Sequence, residues 1–178
     1  QLEVNVIGQV AVTQAFLPML RQARGRIVNI GSIGGRMATP FLGPYVASKF
    51  ALEAITDALR MELRPWGIGV AIVEPGSIAT AIWEKAKDTS KQVSDNLSPQ
   101  GRELYGAAVS SLQETMAEFE KRAIPAERVA KAVTHALLSK RPKTRYLVGT
   151  DARIQAALAA VVPDRITDRL IARQMRLP

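Results

Sequence analysis

Residues 26–76 read RIVNIGSIGGRMATPFLGPYVASKFALEAITDALRMELRPWGIGVAIVEPG. The run Arg26-Ile27-Val28-Asn29-Ile30 is short, rich in β-branched residues and followed by glycines, which is the pattern of a strand. A loop through Thr39-Pro40 and Gly43-Pro44 comes next. From about Tyr45 to Leu63, the residues Phe50, Ala51, Ile55, Leu59 and Met61 follow a helical pattern that Pro65-Trp66-Gly67 closes. Gly69-Val70-Ala71-Ile72-Val73 is apolar on both sides, as expected of a parallel strand covered by helices on both faces. Strand, helix, strand in this order predicts a parallel α/β unit with a right-handed crossover.

Working outward, residues 3–23 place Val4, Ile7, Val10, Ala11, Ala15, Leu17 and Leu20 near a helical repeat, with Gly25 as the stop. Downstream, residues 79–123 carry no strand pattern; two helical stretches are separated there by the polar segment Asp88 to Pro99. A helix over about Pro125 to Ser139 leads to a last strand, Arg145 to Gly149, and two short helices covering residues 150–178. The strands at 27–30 and 69–73 both have interior composition, so three strands leave a long edge unpaired. The expectation is a chain that continues upstream by several βα units.

The 178 residues, 47% hydrophobic, suit one globular domain. No apolar run approaches the roughly 18 residues of a membrane span, and the N-terminus does not read as a signal peptide, which predicts a soluble, cytoplasmic protein. Without cysteine and with His135 as the single histidine, disulfides, thiolate nucleophiles and histidine-rich metal sites are excluded, and no metal is expected. The net charge of +8 is uneven: from Lys121 onward thirteen Lys/Arg stand against four Asp/Glu, whereas residues 1–120 carry eleven against twelve. No aromatic residues interleave with the basic ones as stacking on nucleic acid requires, so nucleic acid is not an expected partner. Arg165, Arg169, Arg173 and Arg176 beside Ile166, Leu170 and Ile171 form a basic amphipathic pattern, read as a solvated face ahead of a membrane-surface contact.

Tyr45 and Lys49 stand four apart at the start of a helix, on one face. An ammonium near a phenol favours phenolate and makes the tyrosine a better acid/base at neutral pH. Ser32, just past the strand that starts at Arg26, brings a hydroxyl toward the same point. Together they suit binding and protonation of a carbonyl oxygen. Pro75-Gly76-Ser77-Ile78-Ala79-Thr80 follows the next strand at its C-terminal end, where open α/β sheets bind ligands.

With Val4-Asn5-Val6-Ile7-Gly8, Ile27 to Ser32, Tyr45-Val46-Ala47-Ser48-Lys49 and Pro75 to Thr80 in this order, the chain resembles the short-chain dehydrogenase/reductase family from Val4 to about Gly149. The resemblance implies a Rossmann-type doubly wound sheet without its N-terminal strands and pyrophosphate-binding glycine loop, and NAD(P)-dependent interconversion of an alcohol and a carbonyl. It makes Tyr45 the acid/base, Lys49 the residue that lowers its pKa and holds the nicotinamide ribose, Ser32 the group orienting the substrate oxygen, and Asn5 the holder of a water linking Lys49 to solvent. Pro75, Gly76, Ile78 and Thr80 would hold the carboxamide of NAD or NADP. Residues 79–123 correspond to a substrate lid whose apolar members include Ile82, Trp83, Leu97, Leu104, Tyr105, Val109, Leu112, Met116 and Phe119, which points to a small apolar substrate with Trp83 among its contacts. Tyr146 to Ala152 is similar to the branch containing retinol and hydroxysteroid dehydrogenases. Pairing of helices 3–23 and 45–63 across subunits implies a homodimer or homotetramer.

Two rivals stand beside this reading. A sugar-nucleotide epimerase or dehydratase of the extended branch shares the Tyr/Lys pair but is not expected to carry the Pro75 to Thr80 loop. A truncated, inactive chain that only associates through its helices would explain the missing phosphate loop, which Gly31, Gly34 and Gly35 do not replace because they lead into a loop, not a helix. Asn29 reads as a paired strand residue. His135 lies off the Val129, Val133, Leu137 stripe of its helix and reads as solvated surface.

Overall fold

Three parallel strands form a sheet with Gly69–Pro75 between Arg26–Ile30 and Arg145–Val148, and their chemistry explains which sits in the middle. The computed structural model describes residues 1–175. In it β1 spans Arg26–Ile30, β2 Gly69–Pro75 and β5 Arg145–Val148. β2 pairs in register from Arg26↔Gly69 to Ile30↔Val73 on one side and from Ile72↔Arg145 to Pro75↔Val148 on the other. As the strand with two neighbours it is the most apolar: Ile72 and Val73 are wholly buried, each contributing about 1.5–3 kcal/mol of hydrophobic stabilisation.

The helices belonging with this sheet are α1 (Gly8–Ala23), α2 (Gly43–Glu62), α5 (Glu127–Leu138) and α6 (Thr150–Val161). A π-helical turn, Glu3–Ile7, opens the chain ahead of α1. Ile27, Leu63, Ile68 and Val70 make one core cluster, with Leu17, Leu20 and Leu59 packed against it. Ile33, Ala152 and Ala156 make a second, with Leu147. α5 is tied to β1 by Arg26, whose guanidinium donates to the Ala136 carbonyl at 2.9 Å. The end of α1 departs from expectation in detail. Arg24, not Gly25, takes the left-handed conformation (φ 47°), and the Gly25 N–H caps the Leu20 carbonyl at 2.9 Å.

By its contacts the chain divides into two units, Gln1–Gly76 with Glu127–Ala160, and Ser77–Ala126 with the residues from Val161 onward. The second unit holds α3 (Ile82–Asp95), α4 (Pro99–Lys121), α7 (Asp164–Gln174) and a two-stranded parallel ribbon of β3 (Ile78–Ala79) and β4 (Ile124–Pro125). Two sequence expectations need correction here. The polar stretch from Asp88 is helical as far as Asp95, because its charges at helical spacing let α3 expose a solvated face; the break is Asn96 to Ser98, where the Ser98 hydroxyl caps α4 by accepting from the Gly101 N–H at 3.0 Å. The ribbon also brings strand structure to Ala79, inside a segment with no strand pattern, since two-residue strands are too short to show alternation.

Candidate active site

The groups singled out in sequence come from the C-terminal end of β1 and the first turns of α2. Ser32 is extended (φ −166°, ψ 158°) and starts a short 3₁₀ turn, Ile33–Gly35, by accepting the Gly34 N–H on its Oγ at 3.1 Å. That leaves the hydroxyl proton to be donated. A Cβ placed on Gly34 would lie 3.4 Å from Tyr45 Cε1 and 3.5 Å from Ser32 Oγ. The edge of the tyrosine ring and the serine hydroxyl therefore converge on one point beside Gly34, each at contact distance from it.

Tyr45 sits in the first turn of α2 behind Pro44, whose fixed φ suits a helix start. One turn on, the Lys49 ammonium lies 5.9 Å from the centroid of the Tyr45 ring and donates to the Ile30 carbonyl at 3.2 Å. Burial holds the Lys49 pKa below its usual value, because removing an ammonium from water disfavours its charged form. Ser32, Tyr45 and Lys49 are thus brought together, as their spacing predicts.

Asn5 reaches the same helix through Ser48. In the π-helical turn, a feature frequent at functional sites, its Nδ2 donates to Ser48 Oγ at 3.0 Å and to Gln1 Oε1 at 2.9 Å. Ser48 in turn donates to the Tyr45 carbonyl at 2.6 Å and is completely buried. Ser48 was passed over in sequence because a serine inside a helix carries no signal of its own; its position three residues after Tyr45 is the only hint.

At the end of β2 the Gly76 N–H bonds the Val148 carbonyl at 2.9 Å. A Cβ on Gly76 would fall 2.3 Å from an Asp151 carboxylate oxygen, so Asp151, at the start of α6, is packed directly on the turn after Pro75. Within the second unit, Ile78 lies in β3 and Thr80 is exposed. The Trp83 indole N–H donates to the Ile78 carbonyl at 2.7 Å, which engages the polar edge of Trp83 with the loop itself. Val109 and Leu112 are buried packing residues of α4, whereas Ile82, Leu104 and Tyr105 are exposed.

Asn29 is buried, its Nδ2 donating to Thr56 Oγ1 at 2.8 Å. His135 is exposed and hydrogen-bonds the Tyr146 hydroxyl at 2.9 Å. Among the described residues no group of three or more metal-ligating side chains occurs, and no helix is long and apolar enough to cross a membrane.

A family model described as short chain dehydrogenase matches residues 1–91, slightly more than half of the chain. An NADPH-dependent 3-dehydrocapnine reductase of Ornithobacterium rhinotracheale is 37% identical over 99% of this chain and 62% of its own length. Retinol dehydrogenase 5 of Mus musculus is 38% identical over 96% of this chain and 55% of its own. A short chain dehydrogenase of Burkholderia cenocepacia J2315, solved in complex with NADP, superposes with a TM-score of 0.68 at 26% identity, over 95% of this chain and 58% of that one. The chain thus spans about three-fifths of the length of such relatives.

Proposed function

The chain belongs to the short-chain dehydrogenase family, and from that premise we propose that it serves NAD(P)-dependent interconversion of an alcohol and a carbonyl with Tyr45 as acid/base. The observation that carries the reading is the convergence of the Tyr45 ring and the Ser32 hydroxyl on Gly34, with Lys49 one helical turn away. A nicotinamide cofactor held by Lys49 and the Pro75 to Thr80 loop would supply the hydride for reduction or take it up in oxidation. In the reductive direction Ser32 donates a hydrogen bond to the substrate oxygen, and Tyr45 transfers its phenolic proton to that oxygen as the C–H bond forms. The Lys49 ammonium favours the phenolate left behind and has three N–H bonds, of which the Ile30 carbonyl takes one. Ribose hydroxyls are suitable acceptors for the others. Asn5 and Ser48 hold the first turn of α2 at the Tyr45 carbonyl.

The fit to a dinucleotide is supported by Pro75, Ile78 and Thr80 standing in the loop that the family resemblance assigns to the carboxamide. Exposed Ile82, Leu104 and Tyr105 favour an apolar substrate of retinoid, steroid or lipid type. Apolar residues Val12, Phe16 and Met19 of α1 and Met61 of α2 are more than half exposed; these helices are the ones expected to pair two copies of the chain. Fluorescence titration with NADH and NADPH, followed by turnover assays with retinal and a long-chain aldehyde, tests the reading. Saturable binding of one cofactor and reduction of at least one probe is expected; binding of neither cofactor contradicts it.

A further inference from the structure

Away from the reacting groups the first unit contains an ion cluster. Glu74, wholly buried as the last residue before Pro75, accepts from Arg36 Nη2 and Arg145 Nη1, each at 3.1 Å, and forms a second, shorter contact with Arg36 Nε. Arg145, at the start of β5, is also paired with Glu53 and Asp57 on α2, and Asp57 with Arg60 at 2.7 Å. The cluster holds three guanidiniums and three carboxylates. Burial disfavours the charged form of Arg145, but its bonds to Glu53 and Glu74 outweigh that and raise its pKa, while burial holds the Glu53 carboxyl above its usual range.

The segments joined here are the ones that carry the reacting groups. Arg36 closes the Ser32 turn, its N–H bonding the Ile33 carbonyl at 3.0 Å. Glu53 stands one turn beyond Lys49. The turn rests flush on that helix, since a Cβ on Gly35 would lie 2.9 Å from Glu53 Cγ and 3.0 Å from the Lys49 carbonyl oxygen. Buried ion pairs are a poor source of stability compared with apolar packing, and their best-attested use is to specify register.

We propose that Arg36, Glu74 and Arg145 are positioning residues that clamp the Ser32 turn onto α2 and so set the Ser32 hydroxyl against Tyr45. The proposal rests on the reading of Ser32 and Tyr45 as reacting groups. A displacement of about 1 Å at such a site lowers turnover by about 10²-fold.

The test is residue-resolved amide exchange on the full chain without cofactor, for R36M, R145M and R145K. Gly34 and Gly35 report the turn, because their N–H groups bond Ser32 Oγ and the Ser32 carbonyl. R36M and R145M are expected to speed exchange at both by about 10-fold or more and to leave α5 amides unchanged, as local opening does; R145K is expected to restore most of the protection. In the turnover assay with the probe that is reduced, R36M is expected to lower kcat by about 10-fold with the cofactor KM within about twofold. Arg36 is partly exposed, so R36M keeps the test decisive if R145M does not fold. Unchanged exchange at Gly34 and Gly35 in R36M, or an increase spread evenly over the sheet, overturns the proposal. The exchange arm needs no turnover, so its failure is distinguishable from failure of the oxidoreductase reading.

Discussion

At the scale of single residues, Lys49 shows how a site conflicts with stability. Its ammonium is partly removed from water, and the folded chain holds its pKa below the usual 10.5. Between that lowered value and 10.5 the unfolded chain binds more protons than the folded one, so this group makes stability rise with pH across the window. Below the folded pKa the full penalty of burying the charge is present. In Lys49→Met that pH dependence disappears. Denaturant unfolding of both proteins at pH 7 and pH 10 is therefore expected to show wild type gaining stability relative to the variant as pH rises; a constant difference contradicts the assignment. Cofactor affinity and turnover of the variant are expected to fall together, turnover by about 10²-fold or more. Ser32, Tyr45 and Lys49 were legible in sequence because each lies at a fixed offset from a strand end or a helix start. Ser48, Glu53 and Asp151 were not. Their roles depend on contacts between segments distant in sequence, as with Arg145 and Glu53, 92 positions apart.

Among the elements, the turn after β2 depends on the start of α6. Gly76 leaves no room for a side chain, because the Asp151 carboxylate occupies the position a Cβ would take. Gly76→Ala is expected to destabilise the fold by about 1–3 kcal/mol, the usual range for forcing an extra methyl into a packed site. Shortening the opposing residue in Gly76→Ala/Asp151→Gly is expected to recover part of that loss, and a double-mutant cycle by denaturant unfolding reads the coupling. Additive losses would show that the two residues do not compete for space. The elements of the first unit could be read from sequence because β1 is rich in β-branched residues, Gly69 to Val73 of β2 is continuously apolar and α2 is strongly periodic. The short β3–β4 ribbon could not, because two-residue strands have no pattern and their pairing joins Ile78 to Ile124 across the whole of α3 and α4. The polar run from Asp88 misled for the opposite reason: charge marks solvent exposure, and an exposed helix face is as charged as a loop.

For the whole molecule, surface composition bears on assembly. The exposed Val12, Phe16, Met19 and Met61 belong to the helices expected to pair two copies of the chain. Light scattering at micromolar concentration is expected to give a dimer or tetramer, and Phe16→Glu is expected to shift it toward monomer; a monomer in both proteins contradicts the pairing. The basic pattern at the C-terminus is seen in part: Arg165, Arg169 and Arg173 are exposed on α7, while Arg176 lies outside the described residues. The assignment of chemistry stands or falls on Tyr45. In the proposed reaction its phenol supplies the proton, whereas the ring and its neighbours remain in Tyr45→Phe. The decisive measurement is single-turnover reduction of whichever of retinal and the long-chain aldehyde is turned over, by whichever of NADH and NADPH binds, in wild type and Tyr45→Phe, with the cofactor Kd measured alongside. A hydride-transfer rate at least about 10²-fold lower at nearly unchanged Kd is expected; an unchanged rate, or a loss explained entirely by weaker cofactor binding, would show that Tyr45 is not the acid/base.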